Sequence, residues 1–355
     1  MKQLISLILL LCTALGITAQ TTIDADDARI LYSGRINFSN PKSPLFVYPA
    51  TQIAVDFCGT GIAMKAKPGC GYFMVTIDNQ EAYKVSFMGE DSVVTLATGL
   101  PEGNHSLKVM LATEGFELRP EFRGFVLEGD TRLLAKPLAP ARRIEFIGNS
   151  ITCGYGSEAE NQHVHYSLDN SNHYYSYAAM LARDLFAEEM CVARSGIGLY
   201  RNYKGKFPGE TMENWYDYTC IYDSTQVWQP ERFRPDVICV NLGTNDLSTA
   251  GYDIDVYADS YRKFIRHLNE QQPQAQIVIL TSQMLFGTAR QVQIDTLSAI
   301  YQELRAEGLP VHFQILRTQD PAKGYGADWH PSIAQNRQTA DELLPLLRQF
   351  LYPTN

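Results

Sequence analysis

A hydroxyl nucleophile, an imidazole base and a set of N–H donors can each be assigned to a short segment of this chain. Ile144-Glu145-Phe146-Ile147-Gly148-Asn149-Ser150 reads as a buried strand running into a glycine-punctuated turn, continued by Ile151-Thr152-Cys153-Gly154-Tyr155-Gly156. A turn of that kind lifts one side chain to the rim of an α/β sheet, and makes Ser150 the candidate nucleophile. Ester hydrolysis needs, besides a nucleophile, a base that takes its proton and returns it to the leaving alcohol, and donors aimed at the oxyanion. His330 in Asp328-Trp329-His330 is the candidate base. The N–H groups of Ser150 and of Gly196, in Ser195-Gly196-Ile197-Gly198, are candidate oxyanion donors, with the side-chain amide of Asn245 in Gly243-Thr244-Asn245-Asp246.

These segments meet only if the elements before them end at one edge. From Arg143 onward, apolar strands alternate with helices. Tyr174 to Phe186 reads as a helix, and Cys191 to Ala193 as a short strand entering the Gly196 segment. Val237 to Val240 runs into the Asn245 segment, and a helix from about Asp253 places Tyr257, Tyr261, Phe264, Ile265 and Leu268 on one face. A strand from Ile277 to Leu280, a helix from Gln291 to Glu307 and a strand from Val311 to Leu316 follow. The last helix is expected from near Pro331 to about Leu351, kinked at Pro345. Alternation of this kind predicts an α/β fold, a parallel sheet flanked by helices, with functional groups gathered at the carboxyl ends of the strands.

Upstream the pattern changes. From about Thr22 to Lys136 short alternating runs are separated by turn residues: Phe73, Val75 and Ile77 share one face, Tyr83, Val85 and Phe87 return after Asp78-Asn79-Gln80, and Leu107, Val109 and Leu111 repeat the alternation. We expect an all-β sandwich or jelly-roll domain over 22–136. The Pro137-Leu138-Ala139-Pro140 stretch makes 137–142 a stiff linker, and 143–355 the catalytic domain.

At the start, Lys2, an apolar run from Leu4 to Leu11 and small residues up to Ala19 read as a cleavable signal peptide over 1–19, too short for a membrane span. The mature chain is therefore expected in a periplasm or outside the cell. The chain has 355 residues, 45% of them hydrophobic, which suffices for two packed domains. A net charge of -9 without a Lys/Arg run gives no footprint for nucleic acid or an anionic membrane surface. Of the 7 cysteines, Cys12 leaves with the leader; the rest are irregularly spaced, so buried thiols and bridges stand level, with Cys58 and Cys70 the pair to test.

Taken in order, Gly148-Asn149-Ser150, Gly196, Gly243-Thr244-Asn245-Asp246 and Asp328 to His330 resemble the four blocks of the SGNH (GDSL-type) hydrolases. The wording Ser150-Ile151-Thr152-Cys153-Gly154-Tyr155-Gly156, with Asp328-Trp329-His330-Pro331-Ser332, is most similar to carbohydrate esterase family 2. That resemblance implies a jelly-roll β-sandwich joined to an SGNH-hydrolase domain, and a secreted serine esterase that needs no cofactor. It also implies, as substrate, an acetylated plant polysaccharide or oligosaccharide of the xylan or glucomannan type. Two positions depart from the superfamily pattern: Asn149 stands where Asp precedes the serine, and Ala327 where Asp lies three residues before the histidine. We expect Asp328 to orient His330, with a backbone carbonyl, and hence a Ser-His dyad, as the alternative. Two other functions remain open: a lipase or thioesterase acting on longer acyl chains, and a non-catalytic carbohydrate-binding protein whose β domain carries the function.

Other residues have blander readings beside the functional ones. Trp329 and Tyr155 are expected to contact substrate, whereas Tyr200, Trp215 and Trp228 are more simply packing. His163, His165 and His173 suggest a metal only by proximity; lacking carboxylates at ligand spacing, they are read as surface residues and no metal is assigned. His312 reads as a structural histidine in a strand. Asp246 is expected to hold its turn, and Arg201 and Asn202 to line the cleft.

Overall fold

The computed structural model describes residues 20–353, so the signal-peptide expectation falls outside the described residues. In the amino-terminal half two antiparallel sheets face each other. One is four-stranded, in the order Gln20–Ile23, Phe122–Glu128, Ile62–Ala66, Val93–Ala97. The other is six-stranded and centred on Gln52–Cys58, Asn104–Leu111 and Tyr72–Ile77. The period-2 alternation drives this arrangement: Phe73, Val75, Ile77, Leu107, Val109 and Leu111 are all buried, packed with Phe57 of their own sheet and with Met64 and Phe125 from the facing one.

The last strand of the sandwich is Arg132–Leu133, and a separate sheet begins at Arg142. That sheet comprises β1 (Arg142–Gly148), β2 (Ala187–Ala193), β3 (Val237–Val240), β4 (Gln276–Leu280) and β5 (Val311–Gln314). All pairings are parallel and the order is β2-β1-β3-β4-β5. Alternation along β1 sends Ile144 and Phe146 into a core with the helices Tyr177–Asp184 and Ile333–Leu351. Ile147 goes into the opposite core, with Ile254–Gln271 and Gly287–Ala306. β2 is added on one side of β1 and β3 to β5 on the other, which makes β1 the topological switch point where such sheets open a crevice at their carboxyl ends.

Local chemistry moved several expected boundaries. The helix expected from Tyr174 is a 3-10 turn, His173–Tyr175, then a helix begun by Ser176, whose hydroxyl accepts the Ala179 N–H at 3.2 Å. The last helix starts at Ile333, capped by Ser332, and Pro345 lies inside an unbroken Ile333–Leu351. The Cys58–Cys70 pair is not formed. Cys58 ends a strand opposite Asn104, Cys70 donates its N–H to Phe87 in a turn, and every described cysteine is a free thiol.

The domains share buried contacts. Arg35, from the sandwich, is wholly buried against Glu145 of β1, with Nη2 to Oε1 at 3.3 Å. Its guanidinium also donates to the carbonyls of Tyr216 and Tyr218 and lies over the Tyr216 ring at 4.5 Å.

Candidate active site

Ser150 is the first residue of a one-turn helix, Ser150–Cys153, at the carboxyl end of β1. Asn149 makes that turn: its Oδ1 accepts the Ile151 N–H at 3.1 Å, and its Nδ2 donates to the Asn241 carbonyl, just past β3, at 3.2 Å. An aspartate could not donate that second bond, so the departure at 149 adds a tie between neighbouring strands. Ser150 Oγ lies 2.9 Å from His330 Nε2.

On the other side of the imidazole, Nδ1 lies 3.1 Å from the Ala327 carbonyl. A carbonyl only accepts, so Nδ1 carries the proton and Nε2 faces the serine as a base. The expected acceptor, the Asp328 carboxylate, is elsewhere. Asp328 sits at φ 49 and Trp329 at φ 65, both left-handed, and that double turn swings the carboxylate into the 163–166 loop. There it accepts from the Tyr155 hydroxyl at 2.8 Å and the Tyr166 N–H at 3.0 Å, and pairs with His165 Nδ1 at 2.9 Å. Burial raises the Asp328 carboxyl, but these bonds outweigh it and the net shift is downward. Burial pushes the His330 imidazole down to about 4, against the Ala327 carbonyl and the Asp328 charge.

Tyr155 is placed beside His330. Its ring stacks on His330 at 3.9 Å between centroids and on Tyr166 at 4.5 Å, which covers both faces. Gly156 explains the glycines around it: φ is 56, its carbonyl accepts the Ala327 N–H at 2.9 Å, and a Cβ there would meet the Ala327 Cβ at 2.3 Å. The serine turn and the histidine loop are therefore packed backbone to backbone. Trp329 is 53% exposed beside His330, in T-shaped contact with His163 and Tyr325.

Ser195 to Gly198 follows β2 and Gly243 to Asp246 follows β3, so the two loops flank Ser150 on either side in the sheet. The Ser150 N–H, first in its helix, has no intrahelical acceptor. Gly196 has φ 80, and its N–H donates to no group among the described residues. Asn245 Nδ2 donates to the Ile197 carbonyl at 2.7 Å, which fixes the amide and leaves its second hydrogen. Asp246 holds the neighbouring loop by accepting from the N–H groups of Leu199, Tyr200 and Arg201 at 3.0 to 3.1 Å. Arg201 and Asn202 brace that loop instead of lining the cleft: Arg201 donates to the Asp246 carbonyl at 3.2 Å, and Asn202 accepts the Gly198 N–H at 3.0 Å.

His173, expected at the surface, is fully buried between the Thr152 carbonyl and Glu189, each at 2.8 Å. His312 bonds Gln276 at 2.8 Å, and Trp228 is core beside Arg35. The sequence reading did not foresee His165, Tyr166 and Glu114, whose side chains or backbone reach the site from distant segments. Only the Ala327 carbonyl had a signal, since it occupies the position where the superfamily pattern has its acid.

Comparison with known proteins places this geometry. Residues 32–137 match the Carbohydrate esterase 2 N-terminal family, and residues 146–338 match the GDSL-like Lipase/Acylhydrolase family. Cellulase/esterase CelE of Acetivibrio thermocellus is 36% identical over 91% of this chain, which spans 39% of that longer protein. An acetylxylan esterase / glucomannan deacetylase of Cellvibrio japonicus is 28% identical, covering 93% of this chain and 91% of that one. A family two carbohydrate esterase from Clostridium thermocellum, solved in complex with cellohexaose, superposes with a TM-score of 0.84 and is 36% identical, covering 90% of this chain and 98% of that one. The chain belongs to the GDSL-like lipase/acylhydrolase family of carboxylic ester hydrolases, with the two-domain plan of the family 2 carbohydrate esterases.

Proposed function

We propose that the protein is an exported esterase that removes O-acetyl groups from a xylan- or glucomannan-type polysaccharide or oligosaccharide, with 137–142 joining its sandwich to its catalytic domain. The observation that carries the reading is the 2.9 Å contact between Ser150 Oγ and a His330 ring whose far nitrogen is held by a carbonyl. Ser150 attacks the acetyl carbon as His330 Nε2 takes its proton; the imidazolium then protonates the departing sugar oxygen. Water, deprotonated by the same nitrogen, releases acetate. The N–H groups of Ser150 and Gly196 and the Asn245 amide receive the oxyanion, each donor contributing about 2.7–4 kcal/mol in comparable sites. Trp329, exposed beside the reacting pair, is the contact for a sugar ring. Acetyl and polysaccharide specificity draw support from what the similar proteins are named for.

Acetate release from acetylated xylan and glucomannan tests the reading, with octanoyl esters alongside. Faster octanoate release would move it to a lipase or thioesterase. No turnover of any ester, with binding to polysaccharide retained, would make it a carbohydrate-binding protein.

Two further results are expected. Asp328→Asn, which keeps a side chain that tolerates left-handed backbone, should lower kcat by less than about tenfold. A carboxylate on Nδ1 would make the loss about 10⁴-fold. In the pH profile of kcat/KM, activity needs neutral imidazole, so it is full above the His330 pKa and falls as pH drops through it. The acid limb should lie near pH 4 to 5, well below the ordinary imidazole value. A limb near 6, in the ordinary imidazole range, would mean that burial does not depress His330.

A further inference from the structure

The loop that carries Gly196 is gripped by the other domain. Beyond the sandwich strand Asn104–Leu111, the chain from Ala112 to Arg119 inserts into the hydrolase domain. The Ala112 carbonyl accepts the His173 N–H at 2.7 Å, and Arg119 pairs with Asp223 at 2.8 Å. Between these anchors Glu114 is buried, 8% exposed. Its Oε1 accepts the Ser195 N–H at 2.6 Å and its Oε2 accepts the Ser195 hydroxyl. The residue before, Arg194, lays its guanidinium over the ring of Phe116, from the same inserted loop, at 4.9 Å. Both residues leading into Gly196 are thus fixed by the sandwich.

The direction of the Gly196 N–H belongs to the peptide plane it shares with Ser195. Glycine brings no side chain to restrain that plane, so its neighbours must do so. On the far side the Gly196 carbonyl accepts the Tyr203 N–H at 3.0 Å. On the near side the restraint is the pair of hydrogen bonds from Ser195 to Glu114. Burial raises the Glu114 carboxyl, with the Ser195 bonds and Arg194 opposing, and any charge it carries would oppose a nearby oxyanion, so whatever Glu114 contributes to turnover must come from geometry.

We infer that Glu114 of the β-sandwich is a positioning residue for the oxyanion hole, holding Ser195 so that the Gly196 N–H points at the acetyl oxygen as it becomes negative. The β domain is then part of the catalytic apparatus. This rests on the esterase reading above.

The test compares wild type, Glu114→Ala, Glu114→Gln and Ser33→Ala in the full chain, each with its melting temperature. Ser33 bonds Glu188 across the same domain interface at 2.8 Å, away from the serine loop, and serves as the control for a loosened interface. Glu114→Ala should lower kcat by about 10- to 100-fold with KM changed less than about threefold, because a misplaced donor weakens only the transition state. Inhibition by methylboronic acid, which forms a tetrahedral adduct on a serine, should weaken in parallel. Glu114→Gln, which keeps one acceptor for the Ser195 N–H, should recover most of the loss, and it carries the test if the alanine variant does not fold. Three results overturn the inference: kcat within about twofold of wild type in folded Glu114→Ala, no recovery of kcat by Gln, or an equal loss in Ser33→Ala. Absence of ester turnover in the wild type would instead sink the functional reading.

Discussion

His330→Ala lowers kcat on an acetyl ester by about 10⁵-fold, and Ser150→Ala by about as much. Each removes one half of a single proton-transfer unit, in which Oγ and Nε2 are 2.9 Å apart and Nδ1 is saturated by the Ala327 carbonyl. Without the imidazole, the serine hydroxyl has no hydrogen-bond partner among the described residues. Without the serine, the imidazole has only water to activate. Because the two act as one unit, the double variant should be no more than about threefold slower than either single one. Steady-state acetate release by folded variants measures this. A residual rate above about 1% of wild type in His330→Ala would show that another base serves Ser150, and the dyad would have to be abandoned.

Glu145→Ala destabilises the fold by about 3–5 kcal/mol, because it strands the Arg35 guanidinium in the domain interface. Burial raises the Glu145 carboxyl, Arg35 and the Tyr216 hydroxyl opposing, so each partner depends on the other. For a chain of this size the melting temperature should fall by roughly 10 °C. Replacing both, Arg35→Met with Glu145→Leu, should recover most of the loss, since an apolar pair needs no compensation for desolvated charge. A shift below about 2 °C in Glu145→Ala would mean that the interface rearranges to hydrate Arg35.

Three strands of the parallel sheet were legible as apolar runs ending in glycine turns, and the sandwich was legible by its period-2 alternation. Ser150, Gly196 and Asn245 lie just past those three strands, so their shared rim follows from strand order, whereas His330 reaches it from the loop before the last helix. What escaped reading was set by single dihedrals and by contacts between distant segments. Nothing in Asp328-Trp329-His330 announces two left-handed residues, yet they decide that a carbonyl and not a carboxylate faces Nδ1. Nothing near Tyr155 in the sequence announces that Tyr166 and His330 both stack on its ring. Glu114 lies 81 positions from Ser195, and no local pattern relates them. His173, in a polar stretch, gave no sign that Glu189 waits for it inside.

The consecutive left-handed residues at 328 and 329 also set a conflict between robustness and turnover. Neither is glycine, and each such residue forgoes about 1–2 kcal/mol of backbone energy. The loop therefore stores strain beside the base that glycine or asparagine at 329 would relieve, and selection for heat resistance alone would drift in that direction. Such a variant would give up the exposed Trp329 indole, so the most heat-resistant sequence is not the one that keeps this side chain beside His330.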